Sequence, residues 1–532
     1  MTPPQFSVVT PVYNPPAAAL EDMLRSVRHQ SATDWEHCLV DDGSTAPHVR
    51  PMLDRAARAD RRVRVAYRER NGGIVEASND ALALATGAFV VLLDHDDSLE
   101  PNALALVAGA IRDQPDADYL YTDEDRHSDD GRRLSVFRKP GWSPERLRTQ
   151  MYTCHLSVLR RSLVEEVGGF HPEFAGSQDW DLVFRVTERA RRVVHVPEVL
   201  YHWRAVEGST AGGVEAKPWA FAAGTRAIQA HCDRTGFPGE AEQNASLPGI
   251  YHLQPRLTEQ PLVSIVVPTA GSVREVYGEP RVLVTHLVDS VLRRSTYRNL
   301  ELICVVDEQT DPTATAGLQA LAGDRLRIVR GRAPFNFAER INLGALAARG
   351  EHLLLLNDDM EVVTPNWLER LVMYSSQPGI GAVGAKLLFG DGCLQHAGVV
   401  FEEGYPGHIY RGFARDFPGY YGEALVANNY LAVTGACLMT RRTLFEAVGG
   451  LSTAFPLNYN DVDYCLKLRA RGHRVAFDPD TVLHHFESSS RSGDVEGWEI
   501  DLLHRRWAGT FIPDPYYCPE RLRADDEERI AS

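Results

Sequence analysis

The same ordered series of motifs runs through this chain twice, and no other feature limits its possible folds as much. Ser7-Val-Val-Thr-Pro returns as Ser264-Ile-Val-Val-Pro, and Cys38-Leu-Val-Asp-Asp returns as Cys304-Val-Val-Asp-Glu. Asn79-Asp-Ala-Leu-Ala-Leu-Ala-Thr-Gly and the following Phe89-Val-Val-Leu-Leu-Asp-His-Asp-Asp are echoed by Asn342-Leu-Gly-Ala-Leu-Ala-Ala-Arg-Gly and His352-Leu-Leu-Leu-Leu-Asn-Asp-Asp. Further on, Arg160-Arg-Ser-Leu-Val-Glu-Glu-Val-Gly-Gly matches Arg441-Arg-Thr-Leu-Phe-Glu-Ala-Val-Gly-Gly. Gln178-Asp-Trp-Asp matches Asn460-Asp-Val-Asp, and Val199-Leu-Tyr-His matches Val482-Leu-His-His. Solenoid units are roughly 20–50 residues long, so a repeat near ~260 residues is a whole domain.

The chain is therefore expected to carry one domain over residues 1–235, a linker over 236–260 rich in Pro, Gly, Gln and Glu, a second domain over 261–490, and a tail over 491–532. In the tail, Trp498 to Trp507 reads as a short amphipathic helix packed on the second domain, and Arg521 to Arg529 as a charged end that frays. The length of 532 residues agrees, since one domain of about 150 residues leaves most of the chain unused.

Within each copy, unbroken β-branched runs alternate with short helical patterns stopped by Gly. That alternation predicts an α/β fold, with a mostly parallel sheet covered by helices on both faces. Ligands of such sheets bind beyond the carboxyl ends of the strands. The acidic clusters Asp41-Asp42, Asp94 to Asp97, Asp307-Glu308 and Asn357 to Asp359 all fall there.

Paired carboxylates after a buried strand suit a hard divalent cation such as Mg²⁺ or Mn²⁺ shared with phosphate oxygens. A single Asp in that place more often starts a turn, but the same cluster in both copies argues for a site. No Gly-x4-Gly-Lys-Ser/Thr run is present, and no Gly-x-Gly-x-x-Gly follows the first strand of either copy. This weighs against a P-loop NTPase and a nicotinamide dehydrogenase. A net charge of −16 argues against nucleic acid as a partner. The eight cysteines, without any CxxC spacing, read as thiols of a reducing compartment. No apolar run approaches the ~18 residues of a spanning helix, and Met1-Thr-Pro-Pro-Gln-Phe has no signal-peptide character. The expectation is a cytoplasmic protein, at most peripheral at the inner face of the plasma membrane.

The first copy, through Thr10-Pro-Val-Tyr-Asn, Val40-Asp-Asp-Gly-Ser, Asn71-Gly-Gly, Leu93-Asp-His-Asp-Asp and Gln178-Asp-Trp-Asp, resembles the family 2 glycosyltransferases, which have the GT-A fold. The second resembles their O-antigen and rhamnosyltransferase-like branch, through Phe335-Asn-Phe-Ala-Glu-Arg-Ile-Asn, Leu356-Asn-Asp-Asp, Gly384-Ala-Lys-Leu-Leu, Gln395-His-Ala-Gly and His484-His485.

The resemblance implies two tandem GT-A domains, with the nucleotide base near Pro11 and Asp42 in one and near Pro268 and Asp307 in the other. It sets Asp94 and Asp96, matched by Asn357 and Asp359, against the diphosphate and the metal. Asp179 and Asp461 become the catalytic bases, with helix capping as their structural alternative. His202 and His485 become metal ligands, His484 remaining an alternative in the second copy. Asn357 replaces the first carboxylate of the usual Asp-x-Asp and so loses a charge.

The implied activity is a bifunctional, Mn²⁺- or Mg²⁺-dependent, inverting transfer from UDP- or dTDP-sugar donors. The acceptor is a cell-surface glycan or lipid-linked saccharide. The competing expectation is one catalytic domain beside a glycan-binding or scaffolding module. A nucleotidyltransferase is disfavoured, because Pro11-Val-Tyr-Asn-Pro-Pro is neither Gly-rich nor basic.

Overall fold

The computed structural model describes residues 3–128, 131–204, 218–308, 310–486, 497–511 and 513–518. They form two compact units. The first runs to Trp142 and resumes over Gln150–Gly236 and Ala241–Tyr251; the second takes Ser143–Thr149, Phe237–Glu240 and the described chain from His252 onward.

In the first unit the strands are β1 (Phe6–Val12), β2 (Trp35–Asp41), β3 (Val63–Tyr67), β4 (Phe89–Leu92), β5 (Ser98–Leu99), β6 (Tyr119–His127), β7 (Arg133–Phe137), β8 (Ser157–Arg160) and β9 (Val193–Arg204). They lie in the order β3-β2-β1-β4-β8-β6-β9-β5, with β7 on β6. The pairs among β1 to β4 and the β6–β9 pair are parallel, while β8 and β5 run antiparallel to their neighbours. β2 is buried along its whole length, as expected of a strand covered on both faces.

Within residues 236–260, where a linker was expected, β10 (Gly239–Gln243) and β11 (Tyr251–Pro255) make a two-stranded sheet. Tyr251 and Leu253, two residues apart, turn inward to 2% and 1% exposure, a pattern too short to stand out in a Pro- and Glu-rich segment.

The second unit repeats the eight-strand path of the first and adds further strands. Its strands are β12 (Val263–Thr269), β13 (Val273–Val276), β14 (Glu279–Val282), β15 (Leu300–Val306), β16 (Leu326–Arg330), β17 (His352–Leu356), β18 (Met360–Val362), β19 (Ile380–Leu388), β20 (Leu394–His396), β21 (Val399–Glu402), β22 (Tyr405–His408), β23 (Asn428–Tyr430), β24 (Cys437–Arg441) and β25 (Arg474–His485). The main order is β16-β15-β12-β17-β24-β19-β25-β18, with the same pairing senses as in the first unit. In the tail, the helix Gly497–Phe511 buries Leu503 in this unit's core, beside Tyr516 and Tyr517. The expected charged end, Arg521 to Arg529, lies outside the described residues. Among the described residues no helix is long and apolar enough to cross a membrane.

The repeated motifs are repeated because they make the same buried polar ties. Ser7 donates to Glu36 at 2.7 Å, which also accepts from Thr86, and Gly87 N–H donates to Ser7 Oγ at 2.8 Å. Ser264, Glu301 and Gly350 rebuild this at 2.7 and 2.8 Å. A Cβ on Gly87 would sit 2.8 Å from the Ser7 backbone nitrogen, so the glycine that stops the helix is required by close backbone approach.

In the helix Ile74–Leu84, Asn79 donates to Phe170 C=O at 2.8 Å and accepts from Phe170 N–H at 2.9 Å. In Phe337–Ala347, Asn342 does the same to Leu451 at 2.8 and 2.9 Å. Each amide thereby holds a Gly-Gly turn at positive φ, Gly168-Gly169 or Gly449-Gly450. Replacing either Asn by Ala strands a backbone donor and acceptor that are partly shielded from water. Asn79→Ala or Asn342→Ala is expected to cost about 1–3 kcal/mol. Amide hydrogen exchange should show faster exchange in the altered unit's turn and leave its counterpart in the other unit unchanged.

Candidate active sites

In the first unit one cleft is lined by Pro11 from β1, Asp94 just past β4, Cys154-His155 ahead of β8, and Gln178-Asp179 at the start of the helix Gln178–Thr187. Pro11, Asp94 and Asp179, expected to serve the donor and the chemistry, are thus brought together. Asp179 sits in the first helical turn, where the helix dipole favours a carboxylate. Burial raises its pKa above the ordinary carboxylate value, His155 lowers it, a Trp180 backbone N–H bond lowers it, and Asp94 raises it.

Three carboxylates crowd the tip of the central strand. Asp97 is 2% exposed, accepts from Tyr201 Oη at 2.5 Å and from Arg204 N–H at 2.8 Å, and is held well above the usual carboxylate range by burial and by Asp94 and Asp96. Asp96 is raised as well, chiefly by burial. Ligand atoms of Asp94, Asp97 and His155 all lie within 4.8 Å of one another. Packed negative charge with an imidazole beside it fits a divalent cation.

Two expected donor-site residues are engaged elsewhere. Asp42, 2% exposed, accepts from Gly72 and Gly73 N–H at 2.9 and 2.8 Å and pairs with Arg68 at 2.9 Å, so it braces the Asn71-Gly-Gly turn. His202 holds Asp125 at 2.7 Å through Nδ1 and Glu100 at 2.8 Å through Nε2. It falls in a second group with Asp125 and His127, and Asp96 belongs to neither group. His155 and Asp97 were not singled out from the sequence. His155 stands in a loop with no periodic signal, and Asp97 was read only as part of the acidic run.

In the second unit a cleft of about 260 Å³ is lined by Asn357, Gln395, His408, Gly435, Asp461 and His485, among others. Asp461, in the first turn of Asn460–Arg469, accepts from Gly435 N–H at 2.7 Å and Val462 N–H at 2.8 Å. His485 Nε2 is 3.0 Å from Asp359 and 3.3 Å from Asn357 Nδ2, and its Nδ1 is 2.5 Å from Gln395 Oε1. Asp358 is held by Thr269 Oγ1 at 2.6 Å and is pushed up by burial to about 6. Pro268 on β12 pairs with Val305 as Pro11 on β1 pairs with Val40. Asp307 pairs with Arg340 at 2.7 Å, a guanidinium only 1% exposed. A different arginine therefore braces the Asp307 carboxylate than braces Asp42.

The family model of glycosyl transferase family 2 matches residues 7–168 and again 264–449, one match in each unit. The chain belongs to this family. As a family 2 glycosyltransferase it consists of two tandem GT-A domains, the sheet of each mixed rather than wholly parallel.

It is 40% identical over 97% of its length to an uncharacterized protein, y4gI, of Sinorhizobium fredii. It is 38% identical over 99% of its length to the O-antigen biosynthesis protein RfbC of Myxococcus xanthus. The chain spans about half the length of these two relatives, 57% of one and 42% of the other. A solved structure of S. aureus TarS with UDP-GlcNAc matches 43% of this chain and 66% of that chain, at 23% identity and a TM-score of 0.36.

Strand register corrects one equivalence between the two family 2 domains. The motif match sets His202 beside His485, but the pairings do not. Leu99 of β5 faces Tyr201 and Ser98 faces His202; in β18, Val362 faces Leu483 and Glu361 faces His484. Along β6 and β19, Glu124 faces Tyr201 while Leu387 faces Leu483. Since Asp96 matches Asp359, His202 corresponds to His484 and Trp203 to His485. The motif match of the Val-Leu pair is one residue out of step with the sheet, and in a strand one step reverses the face.

The two bracing carboxylates give a direct test. Asp307→Ala leaves the buried Arg340 guanidinium with Glu339, at 3.8 Å, and the Arg332 carbonyl, and is expected to destabilise the second unit by about 1–3 kcal/mol. Asp42→Ala frees two backbone N–H groups and is expected to cost about 1–3 kcal/mol. Thermal unfolding followed by calorimetry measures both.

Proposed function

We propose that each domain is an inverting glycosyltransferase centre and that the chain is bifunctional. Each domain takes sugar from a nucleotide-sugar donor, UDP- or dTDP-linked, and adds it to a cell-surface glycan or lipid-linked saccharide. The observation that carries this reading is the recurrence of one arrangement. A carboxylate in the first turn of a helix, Asp179 or Asp461, lines a cleft whose other wall is the polar tip of the central strand, Asp94 or Asn357. The likeness to a protein named for O-antigen biosynthesis supports a surface polysaccharide as the product.

Asp179 and Asp461 take the proton of the acceptor hydroxyl as its oxygen attacks the anomeric carbon. Backbone N–H groups hold each carboxylate in place, and the burial that raises Asp179 makes it a stronger base than an ordinary carboxylate. Pro11 and Pro268, at the strand ends, border the space for the nucleotide base. Asp42 and Asp307 shape the adjoining loops through Gly72-Gly73 and Arg340.

Asp94, Asp97 and His155 fit a cation in the first domain, with Asp96 adding to the local charge. Asp359 and His485, with the neutral Asn357, are the corresponding group in the second. A bound Mn²⁺ or Mg²⁺ supplies positive charge to the departing nucleoside diphosphate. Asn357 also favours one alternative, in which the second domain binds glycan and only the first transfers sugar.

Asp179→Asn and Asp461→Asn, each tested with oligosaccharide acceptors and linkage analysis, are expected to remove different linkages by about 10²–10⁴-fold. Wild-type transfer by both variants would overturn the base assignment. Loss of all transfer in the first variant with none in the second would favour the binding role.

A further inference from the structure

We infer that His155 is the imidazole ligand of the first centre, and that the two domains recruit this ligand from different strands. The inference rests on the metal-dependent reading above. In the second domain the imidazole is His485, on the last long strand β25. Its Nδ1 lies 2.5 Å from Gln395 Oε1, an acceptor, so Nδ1 carries the proton and the Nε2 lone pair faces Asp359 at 3.0 Å. A side-chain acceptor fixing one ring nitrogen while the other faces the metal position is the usual arrangement around a ligating histidine.

The first domain has no imidazole at that place. Register puts Trp203 there, and Tyr201 and Trp203 both turn to His155: Tyr201 stacks on it at 4.5 Å between ring centroids, and Trp203 meets it edge-on at 5.6 Å. His202, between them, points to the other face of the strand, where Asp125 and Glu100 occupy both ring nitrogens. The missing imidazole comes instead from the approach to β8. Pairing of β4 with β8 and of β17 with β24 aligns Leu92 opposite Ser157 with Leu355 opposite Leu438, which sets His155 against Ala436. Ala436 offers no ligand atom. Each domain thus has an imidazole at one of the two positions and none at the other.

His155 is also held as a ligand must be. Its backbone N–H donates to Glu124 Oε2 at 3.1 Å, and its carbonyl accepts from Lys139 Nζ. Lys139, 3% exposed, also donates to Glu124 at 2.9 Å and to Thr153 C=O at 2.7 Å. This buried pair grips the peptide on both sides of His155, and the Tyr201 ring fixes the imidazole plane while the Tyr201 hydroxyl fixes Asp97. Glu124 and Lys139 act through His155 and are positioning residues.

The test is Mn²⁺ titration of the full chain, with free Mn²⁺ read by electron paramagnetic resonance. The wild-type chain is expected to bind two ions. His155→Gln should weaken one site at least 10-fold and leave the other alone, and His485→Gln should do the reverse. His202→Gln should leave both unchanged. Trp203→His, added to His155→Gln, should recover most of the lost affinity by returning an imidazole to the position His485 holds in the second domain. Glu124→Gln should weaken the same site as His155→Gln. Two unaltered sites in His155→Gln, or a weakened site in His202→Gln, would overturn the assignment while leaving the metal reading standing. Absence of Mn²⁺ binding by the wild-type chain would overturn both.

Discussion

The geometry of both centres depends on how a Gly-Gly turn is held. The helix that carries Asp179 or Asp461 begins about ten residues after that turn, so the turn sets where the carboxylate stands relative to the central strand. Asn79 and Asn342 grip the following residue's N–H and C=O from one side. From the other side Arg185 donates to Gly169 C=O at 2.7 Å, and Lys467 donates to Gly450 C=O. Those two cations belong to the helices that carry Asp179 and Asp461. Each carboxylate is therefore tied through its own helix to the turn, and through the turn to the helix lying against the first strands. Positive φ at both glycines makes this route available only to a residue pair without Cβ atoms.

On this shared frame the two clefts differ in charge. Asp94, Asp96 and Asp97 stand together in the first, and burial with mutual repulsion raises two of them. Repulsion of that kind is relieved by a cation, the role proposed above for the first site. In the second, Asn357 removes one charge and Met360 stands where Asp97 does. Buried His396 and half-buried His408, which lines the cleft, are both shifted toward the neutral form by desolvation. The second cleft therefore has more donors and acceptors of neutral character, a lining suited to sugar hydroxyls.

The sequence made the architecture legible because burial on both faces of a sheet writes long apolar runs, and the chain writes each of them twice. The acidic strand ends followed from the same logic. Three things were not legible. Asp42 looks like any carboxylate at a strand end, and only the fold shows both its oxygens turned to Gly72 and Gly73 N–H. The β10–β11 pair is short and polar enough to pass for a linker. Most consequentially, Val-Leu-x-His looked alike in both copies, although hydrogen bonding in the sheet aligns it one residue differently. The bulged spans themselves are equally long, since Thr122 to Glu124 covers Val196 to Tyr201 and Ala385 to Leu387 covers Asp478 to Leu483, so the step arises only from the local likeness of Val-Leu-x-His.

That one step also explains how two copies of one fold can keep a similar centre with different residues. The position ahead of β8 or β24 and the position near the end of β9 or β25 both border the tip of the central strand. An imidazole at either reaches a carboxylate of that tip: His155 stands with Asp94 and Asp97, and His485 with Asp359, the counterpart of Asp96. With one position filled, the other is released: Ala436 leaves room for Asn357, whose N–H donates to Ala436 C=O at 3.0 Å, and Trp203 becomes a wall against which His155 is packed. Once His155 carries the ligand, the buried Lys139–Glu124 pair has a purpose that its desolvation cost alone would not justify, since a buried ion pair is weak support for stability. The second domain, taking its histidine from a strand already fixed by the sheet, has no need of such a clamp, and there Leu387 occupies the place of Glu124.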